Sequence, residues 1–212
     1  TQYKDLHSAN KGYFDISNNV IKNLTVYQNN IQTYAIEFRN HESKMDYTLN
    51  MANNKISGES TKYLIAVIND TYDRVLSKNG IGSGTITISG NDADIGKIMK
   101  GAVPVYVEEH HGNVAMHGAV TIHNNKISVR EKSDGYVEFA YLKSNAKEYN
   151  ITNNTLKLGG ALDDVLVDVY STNPKGKASL NVANNKIMTD IKDELYDSWL
   201  RFENNIKTYS EG

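Results

Sequence analysis

Cysteine is absent from the 212 residues, which excludes a disulfide framework and every Cys-based metal site and leaves the redox compartment open. Proline occurs twice and glycine fifteen times, a balance that excludes collagen-like and disordered chains. No apolar run approaches the roughly 20 residues that span a bilayer, and the first residues carry no signal-peptide pattern. With a net charge of −2 there is no basic footprint for nucleic acid or an anionic membrane, so neither partner is expected. What the chain does have is 39% hydrophobic residues, enough to bury a core, and fourteen tyrosines.

It also has a repeat. Val120-Thr-Ile122-His-Asn124-Asn125-Lys-Ile127 returns as Phe14 to Ile21, Leu49 to Ile56, Tyr149 to Leu156 and Leu180 to Ile187, with a variant, Ile86-Thr-Ile88-Ser-Gly90-Asn91-Asp-Ala93. The first residues of the Asn pair, 18, 53, 90, 124, 153 and 184, are 29 to 37 residues apart, which is the period of a repeat architecture. Apolar residues at the first and third positions, with small or polar ones between, describe a strand buried on one face. If the alternation continues, the first Asn also points inward. A buried amide needs partners, and the nearest is the same amide one repeat away, about 4.8 Å along the stack. Asn18, Asn53, Asn124, Asn153 and Asn184 are therefore expected to form a ladder, and the second Asn to take the left-handed φ that bends the strand.

Each Asn unit is followed by a second β-type run: Tyr34 to Phe38, Tyr63 to Ile68, Val103 to Val107, Tyr136 to Tyr141, Val165 to Tyr170 and Trp199 to Phe202. A leucine-rich repeat shares the apolar-x-apolar-x-x-Asn spelling. It needs a further apolar residue three positions earlier, where this chain has Lys11, Asp46, Ser83, His117, Ala146 and Lys177, and its period is about 20 to 29.

The Asn-rich bends and paired strands resemble the right-handed parallel β-helix (pectin-lyase-like) family, of the bacteriophage tail spike and neck appendage type. The resemblance spans nearly the whole chain and implies an all-β right-handed solenoid of about six coils with an asparagine ladder. Residues 1–212 are read as a single β-helix domain, a piece of a longer chain. The resemblance further implies a carbohydrate-recognising module binding host surface polysaccharide, virion or extracellular localisation, and a homotrimer in the full-length protein. A polysaccharide depolymerase and a structural shaft or adhesin stalk are the alternatives. The galacturonan hydrolases' blocks are missing: Asp163-Asp164 stands alone and His111-Gly112 lacks its leading Gly. No cofactor is expected.

The second strands still indicate where a site would lie. Setting Ile36/Phe38, Val105/Val107, Val137/Phe139, Val167/Val169 and Leu200/Phe202 inward leaves Glu37, Ala66, Tyr106, Glu138, Asp168 and Arg201 as an outward row. Glu108, Tyr136, Tyr170, Trp199 and Glu203 flank it. Aromatic rings beside carboxylates suit sugars, since rings stack on the apolar faces of pyranoses and carboxylates accept hydroxyl hydrogen bonds. Tyr106, Glu108, Tyr136, Tyr170, Trp199 and Arg201 are the expected carbohydrate contacts. If catalysis occurs, stacked Glu138 and Asp168 are the expected pair, with Cβ atoms about 5 Å apart. His110, His111, His117 and His123 fall in one coil but diverge by strand alternation, so no metal site is expected. Asn23-Leu-Thr25 and Asn69-Asp-Thr71 fit glycosylation sequons, a spelling frequent in Asn-rich chains.

Overall fold

A computed structural model of the chain describes residues 11–26, 33–41, 46–70, 84–99, 104–110, 117–131, 139–144, 146–158, 165–171, 178–189, 198–203 and 206–211. These form nineteen strands in three sheets. Sheet A stacks β1 (Lys11–Asp15), β4 (Asp46–Ala52), β7 (Gly84–Ser89), β10 (His117–His123), β13 (Ala146–Thr152), β16 (Ala178–Ala183) and β19 (Ile206–Glu211). Sheet B stacks β2 (Val20–Leu24), β5 (Lys55–Thr61), β8 (Asp92–Ile98), β11 (Lys126–Val129), β14 (Thr155–Leu158) and β17 (Lys186–Thr189). Sheet C stacks β3 (Tyr34–His41), β6 (Tyr63–Asp70), β9 (Val105–His110), β12 (Ala140–Ser144), β15 (Val165–Ser171) and β18 (Ser198–Glu203). Every strand pairs in parallel with the strand three places along the chain, so each turn of chain visits the three sheets once. That is a right-handed parallel β-helix.

Period-2 patterning builds the interior. Leu49, Ile86, Val120, Tyr149 and Leu180 are register partners along sheet A, and all are buried. Met51, Ile88 and Ile122 repeat this two residues on, while Ile56, Ile127 and Leu156 line sheet B. Like side chains thus lie over like at each rung, which fills the tube with stacked aliphatic rows. Two tyrosines enter this interior with their hydroxyls satisfied. Tyr47 donates to Asn69 Oδ1 at 2.9 Å, and Tyr149 donates to the Ser144 carbonyl at 2.6 Å.

The asparagine ladder is present, but the two residues of each Asn pair exchange the expected roles. Asn18, Asn53, Asn124, Asn153 and Asn184 take φ values of 56° to 61°, and all are exposed. The second residues, Asn19, Asn54, Asn91, Asn125, Asn154 and Asn185, make the ladder, with each Nδ2 from Asn19 to Asn154 donating at 2.9 Å to the Oδ1 of the next. The same Oδ1 also accepts from the preceding coil's backbone N–H at 3.0 to 3.1 Å. From Asn54 onward, the remaining amide hydrogen goes back to a carbonyl of the coil before, Ile16, Met51, Ile88, Ile122 or Ile151. The reason lies in the corner. Strand alternation ends at the fourth position of the unit, the left-handed residue reverses the chain direction, and the residue after it swings inward.

Gly90 therefore does not break the ladder, which runs through Asn91. It occupies the left-handed corner with φ 62°. A Cβ there would lie 2.5 Å from Asn53 Oδ1, the movable end of an exposed side chain. Gly90→Asn should leave stability within about 0.5 kcal/mol in urea melts. Gly90→Val, β-branched at left-handed φ, should cost about 1–2 kcal/mol. Equal costs for the two would show that the corner does not discriminate by conformation.

Candidate functional site

Sheet C is the face on which the expected carbohydrate contacts fall. Register along the stack gives the row Glu37, Ala66, Tyr106, Tyr141, Asp168, Arg201. Tyr141, not Glu138, partners both Tyr106 and Asp168. Glu138 and Tyr136 themselves lie outside the described residues. On the adjacent strands β12 and β15, the phenol of Tyr141 stands in register beside Asp168.

A bulge-like entry to β6 and to β12 produces this register. Leu64 and Ile65 both face the core, and their N–H groups both donate to the Pro104 carbonyl, at 3.1 and 2.9 Å. Phe139 and Ala140 are likewise both in the core. Two consecutive inward residues shift the alternation by one, so the inward positions of β12 are Ala140 and Leu142. The same shift leaves Tyr34 and Tyr63 outside the tube.

The outcome is a stack of four tyrosines along the outer face of sheet C. Ring centroids lie 5.0 Å apart for Tyr34 and Tyr63, 4.9 Å for Tyr63 and Tyr106, and 5.6 Å for Tyr106 and Tyr141. The outer pairs are near-parallel, at 22° and 14°, and the middle pair is tilted by 49°. Rings one rung apart stack because the strand spacing of about 4.8 Å is close to aromatic contact distance.

Charged groups flank the rings. Two residues along each strand the row reads Arg39, Ile68, Glu108, Lys143, Tyr170, Glu203. The Tyr106 hydroxyl donates to Glu108 Oε2, and Lys143 Nζ donates to Glu108 Oε1 at 3.5 Å. Arg39 Nε pairs with Glu37 Oε1 at 2.6 Å. Glu108 is 8% exposed and Asp168 5%, low values for carboxylates on an outer face. Burial, then the hydrogen bond to Glu108 and its charge, raises the Tyr106 phenol far above its ordinary range. Burial, then the Glu37 charge, pushes Tyr34 up to about 12. Both phenols are therefore neutral hydrogen-bonding groups at neutral pH.

Of the residues expected from sequence, Tyr106, Glu108 and Asp168 come together on this face. Tyr170 and Arg201 are placed by backbone register only, Arg201 as the partner of Asp168, and Trp199 only as a residue of β18; their side chains lie outside the described residues. Tyr34, Tyr63, Tyr141 and Lys143 join the site without having been expected. A shared spelling, Tyr34-Ala-Ile and Tyr63-Leu-Ile, a tyrosine before two apolar residues, marks the bulged entry at two coils. Among the described residues no group of three His, Cys, Asp or Glu is placed to hold a metal. His123 sits on the outer face of sheet A against Asn124 Nδ2 at 2.9 Å. Asn69, in one of the two sequons, is buried and accepts the Tyr47 hydroxyl. Set against family models, curated proteins and solved structures, the chain matches none of them.

Proposed function

We propose that the chain is the carbohydrate-recognising β-helix module of a bacteriophage tail spike or fibre. In this reading it is carried on the virion, trimeric in the full-length protein, and holds a host surface polysaccharide along the outer face of sheet C. The four-tyrosine stack, flanked by Glu108, Lys143 and Asp168, is the observation that carries this reading. A polymer running parallel to the helix axis meets ring edges over four successive coils, with the Glu37–Arg39 and Glu108–Lys143 pairs beside them. Hydroxyls can exchange into the Tyr106–Glu108–Lys143 network, since carboxylates and ammonium groups hydrogen-bond sugars without needing a net charge. Tyrosine offers such contact area at low entropic cost, having two side-chain torsions. Cleavage would require two carboxylates at an active spacing, and Tyr141 occupies the position where one was expected; the module is therefore read as a binder.

The rings also cover one another, which favours a second reading as a structural shaft. Binding of extracted bacterial surface polysaccharides, measured by surface plasmon resonance, separates the two. Tyr141→Ala should weaken binding by about 1 kcal/mol or more, the loss typical of an aromatic anchor. Tyr13→Ala, on sheet A, should leave it unchanged. A panel that yields no binding, or a Tyr141→Ala variant that binds as well as the parent, would return the face to the shaft reading.

A further inference from the structure

The three outer faces carry charge differently. Along sheet A the central outward row is Asp15, Asn50, Thr87, Thr121, Asn150, Asn181, short side chains with one charge. On sheet C two ion pairs are described, Glu37 with Arg39 and Glu108 with Lys143. Sheet B differs in its last three coils. There β11, β14 and β17 read Lys-Ile-Ser-Val, Thr-Leu-Lys-Leu and Lys-Ile-Met-Thr, with three lysines and no carboxylate.

Lys126, Lys157 and Lys186 are exposed and lie on one face. Lys126 and Lys186 flank Thr155 in register, and Lys157 stands two residues along, between Ser128 and Met188. Their Cα atoms are therefore roughly 8 to 10 Å apart, from a rung spacing of about 4.8 Å and a rise of about 3.3 Å per residue. Earlier on the sheet the cations are offset: Arg130 lies 3.5 Å from both Asp94 and Glu59, and Asp92 is the register partner of Lys55 and Lys126. Lys126 thus faces Asp92 on one side only, and from it onward β11, β14 and β17 add three lysines and no carboxylate, so positive charge runs along the axis over three coils. A polymer whose charges recur along the axis can meet all three ammonium groups at once without drawing their stems together.

We propose that Lys126, Lys157 and Lys186 form a second binding site, for an anionic polysaccharide whose phosphodiester or carboxylate groups recur along the helix axis. Lysine suits this as a hydrated point charge on a flexible stem, which tolerates variation in the spacing of the anions. Nucleic acid is disfavoured, because β11, β14 and β17 carry no aromatic ring on which a base could stack.

The test is surface plasmon resonance on the whole chain with poly(glycerol phosphate), alginate, neutral dextran and a single-stranded DNA homopolymer. At 50 mM NaCl at least one of the first two should bind, and the tighter one identifies phosphate or carboxylate as the recognised group. Affinity should fall about tenfold at 300 mM NaCl, since exposed charges are screened. The K126Q/K157Q/K186Q variant should lose at least tenfold at 50 mM with an unchanged melting temperature, while Tyr141→Ala keeps full affinity for the polyanion. The site is overturned if neither polyanion binds, if binding ignores salt, if the triple variant binds as tightly as the parent, or if dextran or DNA binds as tightly as the polyanions.

Discussion

Asn125→Ala should lower the unfolding free energy by about 3 kcal/mol or more, because one side chain closes several buried hydrogen bonds at once. Its Oδ1 accepts from both the backbone N–H and the Nδ2 of Asn91. Its Nδ2 donates to the Ile88 carbonyl and to Asn154 Oδ1. Removing it strands the Asn91 donors and the Ile88 carbonyl in a corner where Asn91, Asn125 and Asn154 are at most 3% exposed. Each unsatisfied buried group costs about 1–3 kcal/mol, partly recovered if water enters. Asn124→Gly, one residue earlier, should change stability by only a few tenths of a kcal/mol, since glycine accepts the 56° φ and the amide is exposed. Urea melts of the two variants measure the contrast directly. A larger loss for Asn124→Gly than for Asn125→Ala would put the ladder on the wrong residue of the pair.

That contrast also marks where sequence reasoning stops. The strands of sheet A were legible because alternation is local: Leu49-x-Met51 and Val120-x-Ile122 state their buried face within three residues. An Asn recurring at the end of such strands implied a ladder, since a buried amide must be partnered. Which Asn enters it depended on a single φ, and both residues of the pair can adopt the left-handed value, so the spelling Asn-Asn leaves the choice to the corner. Sheet C failed for a related reason. Tyr136-Val-Glu-Phe-Ala-Tyr-Leu can be phased on Val137 and Phe139 or on Ala140 and Leu142. The first phase is the more hydrophobic, yet Phe139 and Ala140 are both inside because the strand enters with a bulge. A register shift of three residues puts Tyr141, in place of Glu138, opposite Asp168, and Tyr141 continues the ring stack.

Gly58→Ala should cost about 3 kcal/mol, and the loss should be concentrated in the first coil. Strand β2 carries one residue more than β5 between matched positions: Ile21 partners Ile56 and Leu24 partners Gly58, leaving Lys22 and Asn23 opposite Ser57 alone. Asn23 absorbs the extra residue at φ 60°. The bulge presses the Leu24 backbone onto Gly58, where a Cβ would lie 2.1 Å from the Leu24 carbonyl oxygen, 2.6 Å from its nitrogen and 2.7 Å from its Cβ. Main-chain atoms of a paired strand cannot rotate away as a side-chain tip can, so relief requires β2 to separate from β5. Overpacking of this kind typically costs about 1–3 kcal/mol, and here the lost strand pairing adds to it. In a solenoid each coil contacts only its neighbours, so the damage should stay local. Hydrogen exchange should show lost protection over residues 11–26, with the amides of β10 to β14 unchanged. Ser57→Ala, half-buried beside it, serves as the control and should lie within about 0.5 kcal/mol. If Gly58→Ala matches that control, or exchange quickens uniformly along the stack, then the first coil is not pinned by this contact.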